Sequence, residues 1–492
     1  MISVFLPAVE ATIVATAMPT IVADLGGFSL FSWVFGAYLL MQAVSTPIYG
    51  RFADLYGRKK VFFVGAGIFL VSSAACGFAW GMIPLVVFRT LQGMGAGALQ
   101  SIPFTIIGDI YAPEERARKL GWLSSVWGVA AVTGPMLGGF IVQYLHWALV
   151  FWINLPIGAA TIAMLAYFHD ERLQSRQHEV DYLGAILLML GVGAPMIVLV
   201  QAQSLGAWTI VCLLAGGCVA LVALFIQERR VREPIVPFKL WRNRVIAIGN
   251  FGSLSLGAIM MGVSAFLPTY VQGVMGRSPT LGGFAVAAQS ISWSLAGIGA
   301  GALMVRTSYR FTGAAGALAL IAGTGLLIAL DPARGVVWAI CGAFTIGVGL
   351  GLCNTTLVVA VQASVGWGER GVATSSNLFL RNIGQTLGAA LGGAILNFGI
   401  SRHAPEGVGA VNRLFEPSMR ESLGAAGIAR LSQAIASSLH EVYLIGGILA
   451  IGTLALMLRL PSGLSPTRSA KEDPRRGPDT DTQKAGLQAP VE

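Results

Sequence analysis

Residues 50–60 read GRFADLYGRKK and lie between two long apolar runs. The stretch holds one carboxylate, Asp54, among four cations, Arg51, Arg58, Lys59 and Lys60, with glycines at Gly50 and Gly57. Glycine lacks the Cβ that bars tight turns and close backbone approach, so this composition suits two helices joined by a very short turn. Apolar runs of about 20 residues cross a bilayer as helices. A turn this rich in Lys and Arg between two such runs belongs on the cytoplasmic face, where short loops collect basic residues.

Outward from this turn, the 492-residue chain keeps the same character: 55% of its residues are hydrophobic and 11% charged, with a mean hydropathy of +0.72. Soluble domains carry roughly 25% charged residues, so this is the composition of an integral membrane protein. Lipid offers no partner to a bare peptide group, and a bundle of helices satisfies each backbone internally. The strand alternation of a transmembrane barrel is absent. The formal charge of +9 is the sum of cytoplasmic loops, and no nucleic-acid partner is expected. Cys76, Cys212, Cys218, Cys341 and Cys353 all fall in apolar runs, where cysteine acts as a small hydrophobe. Neither a disulfide framework nor a metal site is indicated. No cofactor is expected, and the absence of a G-x-x-x-x-G-K-[ST] loop argues against an ATP-driven machine. The opening MISVFLPAVEATIVATAMPTIV has neither a basic leader nor a small-residue cleavage site, so it reads as a retained first helix.

Turn residues and charges mark about fourteen spans, near 2–23, 29–50, 61–79, 83–108, 121–143, 148–168, 183–203, 207–227, 245–269, 281–304, 311–330, 336–361, 372–400 and 438–459. With the N-terminus inside, the inner segments hold about two dozen Lys and Arg and the outer ones about six, which places both termini in the cytoplasm. The expected fold is all-α and integral to the membrane. Its organisation is a six-helix bundle over 1–168, two further spans and a basic linker over 169–244, and a second six-helix bundle over 245–460. A partly helical outer loop is expected over 401–437, and the polar residues 461–492 read as a disordered cytoplasmic tail. The pair near 183–227 carries no charge between Asp181 and Glu228 and reads as lipid-facing.

Two ionisable residues stand inside apolar spans of the first half. Glu10 lies roughly 15 Å along its helix, close to the bilayer midplane. Arg89 lies about seven residues into its own span; at that depth an ionised side chain costs at least about 2.5 kcal/mol and must find polar partners. Burial disfavours an ionised carboxylate and a neighbouring cation favours it, so Glu10 is poised to exchange a proton. In the second half Arg381 lies near mid-span among Asn377, Asn382 and Gln385, with Asn354 and Gln362 in the preceding span.

Several strings together resemble the major facilitator superfamily, in particular its fourteen-helix drug:proton antiporters of the multidrug efflux type. The G-x-x-x-D-x-x-G-R-K spacing of Gly50, Asp54, Gly57 and Arg58 resembles the superfamily's signature loop. The resemblance implies a cytoplasmic gating network of Asp54 and Arg58 with Asp109 and Arg116. R-x-x-Q-G-x-G-x-G at Arg89 and Gln92 resembles the fourth-helix motif, in which the arginine is associated with proton transfer. The segment around Glu10, EATIVATAMPTI, resembles the first-helix motif, which more often carries Asp. WGVAAVTGPMLGGF, with Gly128, Gly134, Pro135, Gly138 and Gly139, resembles the antiporter motif found in exporters. ERGVATSSNLFLRNIGQTLGAALGG resembles the thirteenth helix of the same family. One departure is that 305–313, VRTSYRFTG, repeats the signature loop without its carboxylate.

What the resemblance implies is proton-coupled export of amphipathic or aromatic small molecules by alternating access, from an inner or plasma membrane, by a monomer that is not an enzyme and has no catalytic residues. Glu10 and Arg89 would couple to protons, with Glu10 and the substrate competing for one site. Trp33, Gln92, Trp127, Asn354, Gln362, Asn377, Arg381 and Asn382 are the substrate-cavity candidates. One acid against two buried arginines does not select clearly for cations. A dedicated exporter of one metabolite, amino acid, siderophore or lipid, an uncoupled carrier and a transport-dead sensor are the alternative readings.

Overall fold

The computed structural model describes residues 2–110, 113–168, 181–201, 205–231, 238–365, 370–403, 411, 414 and 424–461. Among them are fourteen long helices: α1 (Ile2–Leu25), α2 (Phe31–Tyr56), α3 (Arg58–Gly77), α4 (Met82–Ile110), α5 (Pro113–Tyr144), α6 (Asn154–Phe168), α7 (Tyr182–Gln201), α8 (Ala207–Arg230), α9 (Arg244–Ser264), α10 (Pro279–Arg306), α11 (Tyr309–Ile328), α12 (Gly335–Ala363), α13 (Arg370–His403) and α14 (Gly424–Leu458). Thirteen segments are long and apolar enough to cross a membrane, and α5 is the remaining long helix. The tail lies outside the described residues, as do most of 404–423. The largest boundary shift is at the last helix, which runs unbroken from Gly424, upstream of the expected 438, so the end of the expected partly helical outer loop, 424–437, is helix.

Local chemistry sets the junctions. α2 ends at Tyr56 and α3 begins at Arg58, and the single residue between them, Gly57, has φ 96°, a region that a side chain resists. Arg58 turns back to donate to the Ala53 carbonyl at 3.0 Å, which satisfies a C-terminal carbonyl of α2 and places a cation at the negative end of its dipole. Asn243 caps α9 by accepting from the Val245 N–H at 2.9 Å, as a good N-cap residue does.

The first six helices pack on one another, as do α9 to α14, and α2 against α13 and α5 against α10 join the two bundles. Small residues permit the closest approaches. A Cβ at Gly93 would lie 2.2 Å from the Tyr38 carbonyl oxygen, and one at Gly384 would lie 2.0 Å from that of Leu254. These are the α4–α2 and α13–α9 contacts, which play the same part in the two bundles.

The extra pair departs from the sequence reading. α8 packs mainly on α7 and is largely exposed, whereas α7 lies against both α2 and α13. Its Ala185 and Leu188 cluster with Leu40 and Val44 of α2 and with Phe379 of α13. Only α8 is lipid-facing in the expected sense; α7 fills one of the two seams between the bundles.

Candidate functional site

Five helices of the first bundle converge on Arg89. Its guanidinium lies 4.1 Å over the Tyr38 ring, Nε donates to the Val34 carbonyl at 3.2 Å, and one terminal nitrogen donates to Glu10 Oε1 at 2.5 Å. The same nitrogen donates to Gln92 Oε1 at 2.6 Å. The other Glu10 oxygen accepts from Asn154 Nδ2, which also donates to Ser73 Oγ at 3.0 Å. Gln92 Nε2 reaches the same hydroxyl at 3.0 Å, and Ser73 in turn donates to the Phe151 carbonyl at 2.8 Å. Glu10 is 0% and Arg89 1% exposed, so the pair is sealed inside the bundle.

A buried ion pair is stable only when its remaining donors and acceptors are also met, and here both carboxylate oxygens and Arg89 Nε have partners. Adding a proton to Glu10 would cancel its charge and leave Arg89 with the Val34 carbonyl, Gln92 and the Tyr38 ring. The group therefore offers two arrangements that differ by one proton. Glu10 exposes no surface to a substrate in this conformation, so direct competition at the carboxylate, the sequence expectation, is not what this geometry presents.

Asn154, Ser73 and Tyr38 complete the cluster and escaped the sequence reading. Asn154, in FWINLPIG, is a lone amide in an apolar run, the kind of signal that marked Asn354 and Gln362.

Among the gating residues, the side chains of Asp54, Asp109 and Arg116 lie outside the described residues, as does that of the cavity candidate Trp127; of Gly128 only its place in α5 is described. The remaining motif glycines face two ways. A Cβ at Gly134 would meet Thr12 and one at Gly138 would lie 2.7 Å from the Ile13 carbonyl, both on α1, whereas Gly139 faces Thr280 of α10. A Cβ at Gly283 of α10 would lie 2.2 Å from the Pro135 carbonyl oxygen. α5 is thus clamped between α1 of its own bundle and α10 of the other.

Among the described residues, the hydrogen bonds between bundles are Asn397 Nδ2 to the Ser29 carbonyl at 2.9 Å, Gln272 Nε2 to the Thr16 carbonyl at 3.2 Å, and the Thr280 hydroxyl to Gln143. All three lie toward the end at which α1 runs into α2, the outer end of the sequence reading.

The cavity candidates separate into groups. Gln92 and Asn377 are fully buried and Asn382 nearly so; Asn377 Nδ2 is held by the Gly249 carbonyl at 2.9 Å. Trp33 packs with Met196, Leu199 and Ala390, in the seam filled by α7. Asn354, Gln362 and Arg381 remain part-exposed. Arg381 donates to Asn354 Oδ1 at 3.3 Å, and Gln362 Nε2 donates to Thr374 at 3.1 Å, so part-exposed polar side chains of α12 and α13 are tied to one another.

The family profile described as Major Facilitator Superfamily matches residues 1–389. "Multidrug resistance protein 3" of Bacillus subtilis (strain 168) is 33% identical over 463 residues, spanning 90% of each chain. "Multidrug transporter protein MdtP" of the same organism is 36% identical over 403 residues, spanning 80% of this chain and 74% of the relative. Among solved structures, a bacterial homologue of the human lysosomal transporter Spinster, inward-facing and unoccupied, superposes with a TM-score of 0.64 at 18% identity, covering 94% of this chain and 97% of that one. At that identity the likeness concerns the fold.

Proposed function

The chain belongs to the major facilitator superfamily, multi-pass membrane transporters rather than enzymes, and from that premise we propose that it exports amphipathic or aromatic small molecules in exchange for protons. The names of the two Bacillus relatives support multidrug efflux, and the α5 string supports the antiport direction. The observation that carries the coupling is the sealed Glu10–Arg89 pair.

In this reading the bundles rock about the space between them, with both termini in the cytoplasm. The proton acts at a distance from the substrate. α1 carries Glu10 into the ion pair, Thr12 against Gly134 of α5 and, further along, the Thr16 carbonyl that Gln272 of the second bundle holds at 3.2 Å. Neutralising Glu10 loosens α1 from α4 and α6 and shifts the α1–α5 face on which the other bundle closes. A proton entering through a potential of about 100 mV supplies roughly 2.3 kcal/mol, and one pH unit adds about 1.4. Together they support roughly a 500-fold substrate gradient per proton.

The test is the purified protein in liposomes with an acidic lumen. Adding a fluorescent aromatic amphiphile outside should raise lumenal pH as dye accumulates, and a protonophore should abolish the accumulation. Dye flux indifferent to pH and potential would instead support the uncoupled carrier.

A further inference from the structure

We propose that Arg381 is the counter-charge for an anionic group on the transported molecule, so that the second bundle selects amphiphiles bearing a carboxylate, sulfonate or phosphate. The inference rests on the export reading for the presence of a substrate between the bundles, and it names that substrate's chemistry.

The two arginines of the protein's middle are treated in opposite ways. Arg89 is sealed and paired with Glu10. Among the described residues Arg381 has one hydrogen-bonding partner, the neutral Asn354 oxygen at 3.3 Å; its buried Nε has none, and no carboxylate pairs with it. Guanidinium stays charged under all ordinary conditions. The first bundle's ion pair therefore sums to zero, while among the described residues Arg381 of the second keeps an uncompensated positive charge.

The position is built to face inward. Arg381 lies eleven residues after the start of α13, about 16 Å along it at 1.5 Å per residue. Thr374, Leu378, Arg381 and Gln385 form a part-exposed stripe on α13, while Asn382, Ile383 and Gly384 are buried. That spacing is one face of a helix. A matching stripe on α12 runs through Asn354 and Gln362, and the two stripes are tied by the Arg381–Asn354 and Gln362–Thr374 hydrogen bonds. α9 fixes the backbone behind it, since a Cβ at Gly257 would lie 2.1 Å from the Arg381 carbonyl oxygen. An ionised arginine turned to lipid at this depth is strongly disfavoured, so its exposed part opens on the space between helices. There its planar fork matches a carboxylate or phosphate with two parallel N–H···O bonds. A lipophilic cation without an acidic group would meet repulsion.

The experiment uses the full-length protein in nanodiscs, at one pH and with no gradient, titrated with a xanthene dye bearing a free carboxylate and with the ethyl ester of the same dye. We expect the acid to bind at least tenfold more tightly. Arg381→Met should remove that preference by weakening binding of the acid without weakening that of the ester, and Arg381→Lys should retain much of it. An ester that binds as tightly as the acid, no saturable binding of the acid, or an equal loss of both dyes in Arg381→Met would overturn the proposal. Should Arg381→Met fail to fold, the acid–ester comparison on the unaltered protein and the lysine variant decide. Because no proton gradient is present, failure of the coupling scheme leaves this result standing, and the reverse holds as well.

Discussion

Glu10→Gln is expected to abolish proton-driven export, with a fall of at least about 100-fold in gradient-dependent dye flux, and to lower the melting midpoint of the purified protein. Glutamine keeps an acceptor for Arg89 and removes its counter-charge. An uncompensated buried charge costs about 3–5 kcal/mol, and Arg89, 1% exposed, cannot shed its proton to escape that cost. Arg89→Met leaves a carboxylate that can be protonated, so it should destabilise less. The pair Glu10→Gln with Arg89→Met should recover most of the melting midpoint, because a neutral pair replaces an ion pair, and should recover none of the coupled flux. That separation of stability from transport distinguishes a proton switch from a structural salt bridge. Wild-type coupled flux in either Glu10→Gln variant would remove Glu10 from the mechanism.

Gly283→Val should reduce transport at least tenfold while leaving both bundles folded. Its Cβ would fall 2.2 Å from the Pro135 carbonyl oxygen, a backbone atom that can yield only if α5 and α10 separate. The contact lies between bundles, so the burden falls on their closure and not on either core. Gly93→Val makes the control: its Cβ would strike the Tyr38 carbonyl at 2.2 Å, inside the first bundle, and should prevent accumulation of folded protein. The checks are dye flux together with monodisperse elution. A Gly283→Val protein that transports normally would show that this end of the seam need not close so tightly.

The fold was legible because span length is a strong constraint: about 20 apolar residues can do little in lipid except form a helix. The start of α14 was not. Its first turns, GAAGIARLSQAIASSLHE, mix polar and apolar residues and read equally as a loop or as a helix projecting beyond the hydrocarbon. The seam position of α7 was also hidden. When every face of a helix is apolar, the sequence carries no periodicity to say which face meets protein.

At the site, Glu10 and Arg89 declared themselves because charge in an apolar run is costly and needs a reason. Ser73 and Asn154 did not, since neutral polar side chains are common glue between membrane helices. Arg381 was visible as a residue, but the sequence could not show that no carboxylate among the described residues pairs with it; that follows only from seeing which side chains stand around it. The antiporter-motif glycines stood out in the sequence only as a motif, with nothing to say which helix each one meets; the structure turns Gly134 and Gly138 toward α1 and Gly139 toward α10. That division places α5 between α1, which carries Glu10, and α10 of the opposite bundle.

The central claim is that the carboxyl group of Glu10 gains and loses a proton in step with the substrate. Infrared difference spectroscopy of the purified protein in lipid, recorded as a transported amphiphile is added at fixed pH, observes that group directly. The account predicts a change in the protonated-carboxyl band that vanishes in Glu10→Gln. A spectrum in which substrate addition produces no Glu10-dependent carboxyl signal anywhere in the working pH range would contradict it.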